Sequence, residues 1–437
     1  MPPEVPAIRT AVPGPRSREL FARLSAVENP AFAERRAARF DASPDAASIV
    51  LGRGEGERLW DVDGNCYLDL AAGFGAAILG HGPSAAHDAA CEQIGSLTQG
   101  LGDLYASERK VELLEALVAI YPAPGARAML TQSGADAVTA ALKTCVLATG
   151  RPGVLAFEGA YHGLSYAPLA ACGFAPGFRE PFGGQLGAHV RFAPYPRTAA
   201  ELGLALERAQ ASLATGEIGA VLVEPVLGRG GVVVPPAGFL RELAALARDH
   251  EALLVADEIW TGMGRSGSLV RSIAEGVTPD VICLGKGLGA SFPISACVGS
   301  AEVMSAWARG GSVIHTSTHA GAPLGCAAAL ATLAVVRERD LPARAARLGQ
   351  RFAAALRDEL SSTNECAVRH AGLLVGVELS SGGLAARVAQ RLLERGYITT
   401  LGGRAGEVIV LTPSLTIDED LLLGFVKVLA TSVGELS

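Results

Sequence analysis

Residues 280–295 read "DVICLGKGLGASFPIS", and the fold turns on how this stretch is read. Val281 to Leu284 form a short, wholly apolar run, the pattern of a strand covered on both faces. Lys286 follows at once, held between Gly285 and Gly287. A surface lysine ordinarily sits on a helix among polar neighbours. This one ends a core strand inside a glycine-rich turn. The position suits a partly desolvated amine, because burial favours the neutral and nucleophilic form. The plainer alternative is a lysine that snorkels to water from a strand end.

Working outward, strand-like runs alternate with helix-like ones. "RAMLT" (127–131) precedes a helical stretch from Ser133, and "GVLAF" (153–157) and "GAVLVEP" (219–225) follow. In "AGFLRELAALARDH" (237–250), Phe239, Leu240, Leu243 and Leu246 fall on one helical face. "ALLVADE" (252–258) and "ISACVGS" (294–300) complete the series. The expected fold is α/β, with a mostly parallel sheet flanked by helices and a smaller α/β unit. After Pro323 a helical stretch is predicted from Gly325 to about Asp358, broken near Pro342, and then strands in "LLVGVELS" and "VIVLTPSLTI". "RLWDVDGNCYLDLAAG" (58–73) reads as a hairpin turning at Asp63-Gly64. The expected division is an N-terminal arm (1–45), a hairpin segment packing with the small domain (46–75), a large domain (76–335) and a small C-terminal domain (336–437). The proline-rich opening, "MPPEVPAIRTAVPGPRSREL", predicts a loose arm with no signal-peptide core.

With 437 residues, 49% of them hydrophobic, the chain has material for a large core and more than one domain. A net charge of −7, with 5% aromatic residues and no basic block, argues against nucleic acid and for small-molecule substrates. The longest uncharged run, Gly310 to Val336, is too polar at its start for a membrane span. The eight cysteines form no CxxC pair and read as reduced core residues of a cytoplasmic protein. His315 and His319 lack a companion carboxylate or thiol set, so no metal site is expected.

Asp257 ends the apolar run "LLVAD" as Lys286 ends its own. In open parallel sheets, ligands sit beyond the carboxyl ends of the strands, so both side chains are expected in one crevice. A lysine bound as an imine to pyridoxal phosphate, with a carboxylate on the ring nitrogen, satisfies both groups. "TQSGADAV" (131–138) adds a helix start: Ser133 and Asp136 have capping-box spacing, and a helix N-terminus favours an anion.

Taken in order, "SGADA" (133–137), "YHG" (161–163), "EP" (224–225), "DEIWTGMGRSG" (257–267), "GKGLG" (285–289) and "THAGAPLGCAAA" (318–329) resemble the class III pyridoxal-phosphate aminotransferases of fold type I, from about residue 45 onward. The resemblance implies pyridoxal 5'-phosphate as cofactor and transfer of an amino group from an amine or omega-amino acid donor to a 2-oxo acid, with ping-pong kinetics. It implies Lys286 and Asp257 as catalytic residues, Ser133, Gly134 and Ala135 at the cofactor phosphate, and Tyr161 stacked on the ring. Thr318 is implied to reach the phosphate of a neighbouring subunit, which makes the protein a homodimer with shared sites. Glu224, Arg229 and Trp260 are the candidate substrate residues. His162 is left as a loop-orienting residue.

The resemblance breaks near the C-terminus. Many members carry an arginine there that binds a substrate carboxylate; this chain has Val410. Arg229 is a candidate replacement, and Arg404 a weaker one. A racemase branch also lacks the arginine, but it carries an aspartate where this chain has Arg229, and a guanidinium is not a base. The rival readings are a lyase or racemase/aminomutase with the same cofactor, and a non-catalytic protein that kept the fold.

Overall fold

The computed structural model describes residues 5–39, 48–82, 84–310, 312–361 and 366–436. Its centre is a seven-stranded sheet. The strands lie in the order Arg127–Thr131, Ser295–Gly299, Val281–Leu284, Leu253–Asp257, Ile218–Val223, Gly153–Phe157 and Val190–Ala193. Only Ser295–Gly299 is antiparallel to its neighbours. The other contacts across the sheet are parallel. The remaining strands therefore end along one edge, which carries Ser133, Glu224, Asp257 and Lys286.

The strands read as continuous apolar runs because both faces are covered. On one face Val154, Ala156, Ala220, Leu222, Val255 and Cys283 pack beneath the helix Gly134–Thr149. On the other, Leu155, Phe157, Val221, Val223 and Leu254 meet the helix Phe239–Asp249. There Phe157, Tyr195 and Phe239 meet edge to face, with centroids 5.2–5.9 Å apart, each contact contributing about 0.5–1.5 kcal/mol beyond its area. In that second helix Ala247 takes the buried place, and Leu246, expected on the core face, is half-buried. Phe239, Leu243 and Ala247 follow the i, i+4, i+8 row, and Leu246 lies at its margin.

The break near Pro342 appears as two helices, Pro323–Glu338 and Leu341–Glu359. The first runs through residue 335, so the change of pattern read there falls within an element. Beyond them lies the four-stranded sheet ordered Ala367–Ala371, Leu374–Glu378, Val408–Leu411 and Thr400–Gly402.

The hairpin is present: Arg58–Asp61 pairs antiparallel with Cys66–Asp69. It also carries the parallel strand Tyr397–Ile398 from the far end of the chain. The described part of the N-terminal arm is not loose. Ala7 and Cys66 exchange backbone hydrogen bonds of 2.9 Å, and Asn65 Oδ1 accepts from the N–H groups of Arg9 and Thr10. The Asp63 carboxylate accepts from Arg16 N and Ser17 N at the start of the helix Pro15–Ser25. Side chains of the hairpin turn thus satisfy N–H groups more than 40 residues away, a partnership invisible in the local proline pattern. The boundary expected at residue 45 lies outside the described residues. Cys66, Cys145, Cys172, Cys283, Cys297 and Cys326 are buried and Cys366 is half-buried, whereas Cys91 is exposed.

Candidate active site

A cavity of about 210 Å³ opens at the carboxyl edge of the main sheet. Gly134, Ala135, Tyr161, His162, Gly163, Glu224, Asp257, Ile259, Trp260 and Lys286 line it. Residues from five separate segments meet here because parallel strands deliver their ends to one side.

Lys286 sits at φ +41°, a left-handed conformation uncommon outside glycine. Its Nζ lies 4.6 Å from the centre of the Trp260 ring. Burial pushes the ammonium's pKa down, while the Asp257 and Glu224 carboxylates pull it back up. The surface Lys286 keeps lines the cavity, so desolvation is the governing effect and leaves an amine suited to nucleophilic work.

Asp257 is only 4% exposed. Its Oδ2 lies 2.7 Å from His162 Nδ1, and its Oδ1 accepts from Ile259 N at 3.1 Å. His162 is 2% exposed, and its Nε2 is buried without a partner among the described residues. The sequence reading left His162 outside the site; the structure makes it the residue that orients Asp257. Its position beside Tyr161 in "YHG" was the available signal. Gly163 follows at φ +113°, and a Cβ there would stand 2.6 Å from the Cβ of Ala135. Ile259 and Gly163 are further lining residues that sequence reasoning did not single out.

Glu224 is buried at the end of its strand. Its Oε1 accepts from Tyr161 N at 2.7 Å and its Oε2 from Gly228 N at 3.0 Å. Burial raises its pKa to about 7, with His162 lowering and Asp257 raising it. Trp260 walls the cavity. A Cβ at Gly228 would lie 2.3 Å from its ring, and one at Gly75 would lie 2.6 Å from its Nε1, so the indole is clamped between two glycine backbones. That Nε1 is buried without a partner among the described residues.

Ser133 caps the helix Gly134–Thr149, accepting from Asp136 N at 3.2 Å, worth about 1 kcal/mol. Asp136 lies 3.4 Å from His315 Nε2. Gly134 and Ala135 expose the first turn of this 16-residue helix to the cavity, whereas Ser133 does not line it.

Three expected residues lie apart. Arg229 does not line the cavity; its guanidinium stacks on Tyr161 at 4.4 Å, Phe174 at 4.9 Å and Phe178 at 5.4 Å. Arg404 pairs with Glu158 at the surface. Thr318 lines a second cavity of about 440 Å³ with Gly102, Lys110, Asp136 and His315. Val410 is buried in an apolar cluster with Val226, Val232 and Val408, against which Trp260 packs.

These residues fit pyridoxal phosphate. A helix N-terminus suits the phosphate, an oriented carboxylate suits a protonated ring nitrogen, an aromatic face suits a flat ring, and two buried polar nitrogens, His162 Nε2 and Trp260 Nε1, have no partner among the described residues.

The family model described as "Aminotransferase class-III" matches residues 40–433. The chain is 34% identical to an acetylornithine aminotransferase of Methanothermobacter thermautotrophicus, over 89% of this chain and 94% of that protein. It is also 34% identical to a 5-aminovalerate aminotransferase of Pseudomonas aeruginosa, with the same coverage. Among solved structures, an amine transaminase from an uncultivated Pseudomonas species in a PLP-bound form matches with a TM-score of 0.83 at 29% identity, over 89% of this chain and 95% of that one.

Proposed function

This chain belongs to the class III aminotransferases, enzymes that depend on pyridoxal phosphate, and from that premise we propose which of its residues carry out the transfer and on what donor. The donor is an amine or omega-amino acid and the acceptor a 2-oxo acid, taken in turn by ping-pong kinetics. The observation that carries this reading is the convergence of Lys286, Asp257 and the N-terminus at Gly134-Ala135 on one cavity.

Bound there, pyridoxal phosphate supplies an aldehyde carbon that captures amines and a ring that takes up electron density. Lys286 would hold that carbon, and its amine, when free, would be the base that moves a proton between the substrate carbon and the cofactor's C4′. Asp257, held by His162, keeps the ring nitrogen protonated. The N–H groups at Gly134 and Ala135, behind the Ser133 cap, receive the phosphate. Tyr161 covers one face of the ring, and Trp260 walls the substrate side.

A homodimer in which Thr318 serves the phosphate of the partner's site completes the proposal. The second cavity, with Lys110 and His315 beside Thr318, supports it. We assign the enzyme to the cytoplasm; no helix among the described residues is long and apolar enough to cross a membrane. The chain is organised as an arm and hairpin segment, a large domain and a small one, meeting along the helix Pro323–Glu338. Purified holoenzyme mixed with single amines tests the function: loss of the cofactor's aldehyde absorbance, restored by a 2-oxo acid, is expected, and no change with any amine in a broad panel overturns it.

A further inference from the structure

The Glu224 carboxylate is buried, lines the reaction cavity and has no cationic side chain within ion-pair distance among the described residues. Its hydrogen-bond partners are two backbone N–H groups, of Tyr161 and Gly228. A buried carboxylate in that condition is poorly compensated and favours an arriving cation. Three features say where the cation comes from. Asp257 already faces His162 and is matched to the cofactor ring, so it does not compete. Lys286 would be tied to the cofactor carbon as a donor enters, so it is not free to pair with the Glu224 carboxylate. Arg229 is packed across the ring of Tyr161 toward Phe174 and Phe178, outside the cavity lining.

The neighbouring walls agree. Trp260 presents aromatic surface, which attracts ammonium groups, and Lys286 Nζ already lies 4.6 Å from its ring centre. Behind Trp260 lies the Val226–Val232–Val408–Val410 cluster, which offers a substrate carboxylate no partner. Resting on the transaminase reading of this cavity, we propose that Glu224 and Trp260 form a subsite for the second, non-reacting ammonium of the donor, and that the donor is a short α,ω-diamine. One amine meets the cofactor carbon at Lys286 while the other is held by the Glu224 carboxylate.

Two arms test this with the holoenzyme. In the first, butane-1,4-diamine, n-butylamine and 4-aminobutanoate are each mixed with wild type and Glu224→Gln, and the rate of conversion to pyridoxamine phosphate is followed. The diamine is expected to react with wild type about tenfold or more faster than n-butylamine, the scale of one charge-assisted contact, and the ratio should collapse toward one in Glu224→Gln. Equal rates in wild type, a preference for 4-aminobutanoate, or a diamine advantage that survives in Glu224→Gln overturns the proposal. In the second arm, borohydride-reduced holoenzyme, which cannot exchange amines, is titrated calorimetrically with butane-1,4-diamine. Binding is expected to weaken about tenfold in Glu224→Gln; unchanged binding overturns the subsite. If no amine converts the cofactor, transamination itself has failed, and the calorimetric arm still decides the subsite.

Discussion

At the scale of single residues, the proposed chemistry rests on two strand-end side chains and the histidine that meets one of them. Lys286→Ala is expected to abolish the covalent cofactor absorbance and to lower turnover by at least about 10²–10⁴-fold, the range of a lost acid–base group; absorbance and steady-state kinetics check it. His162 acts through Asp257, across 2.7 Å. His162→Ala should lower kcat about tenfold, one hydrogen bond's worth, and should move the pH dependence of the cofactor's absorbance as Asp257 loses its orientation. His162→Asn, which can still donate to Asp257, should restore part of both. A spectrum that does not move would make His162 a packing residue only.

At the scale of elements, the glycines around the cavity set how closely backbones approach the ligand. A methyl at Gly163 would collide with Ala135 in the helix's first turn and would force φ +113° on a residue with a side chain. Gly163→Ala is therefore expected to weaken cofactor binding more than Ser133→Ala, which removes a cap worth about 1 kcal/mol but leaves the cavity's shape. Equilibrium titration of both apoproteins with pyridoxal phosphate makes the comparison. Much of this level was legible beforehand: the capped helix start at Ser133, the hairpin at Asp63-Gly64 and the buried strands all follow from short-range pattern. Leu246 packs against the core only at the margin of its face, because an 11-residue helix has a core stripe narrower than its apolar content.

At the scale of the whole molecule, burial couples stability to pH through Glu224. Its pKa rises from an ordinary 4.5 to about 7 in the fold, so the folded state holds this proton more tightly than the unfolded one. The resulting stabilisation is complete below pH 4.5 and is lost as pH rises through about 7. Glu224→Gln forfeits one of two backbone contacts but removes the buried charge. Its stability relative to wild type should therefore improve between pH 5 and pH 8, by up to about 3 kcal/mol in the apoprotein. Denaturant unfolding at the two pH values measures it, and a constant difference would contradict the assignment. Sedimentation of the holoenzyme, together with cofactor retention in Thr318→Ala, addresses the shared site: a dimer with weakened retention is expected.

The sequence by itself determined the sheet and the strand-end placement of Lys286 and Asp257, because strand period and strand-end position are local properties that a run such as "DVICLGKG" carries within a few residues; the cofactor class came from the family its ordered motifs resemble. Only the tertiary structure decided that Arg229 is held against three aromatic rings instead of the cavity, that His162 grips Asp257, that Glu224 stands without a cation, and that the described N-terminal arm is pinned to the hairpin. Each of those depends on partners tens of residues away or more, and on burial, which only the packed chain defines.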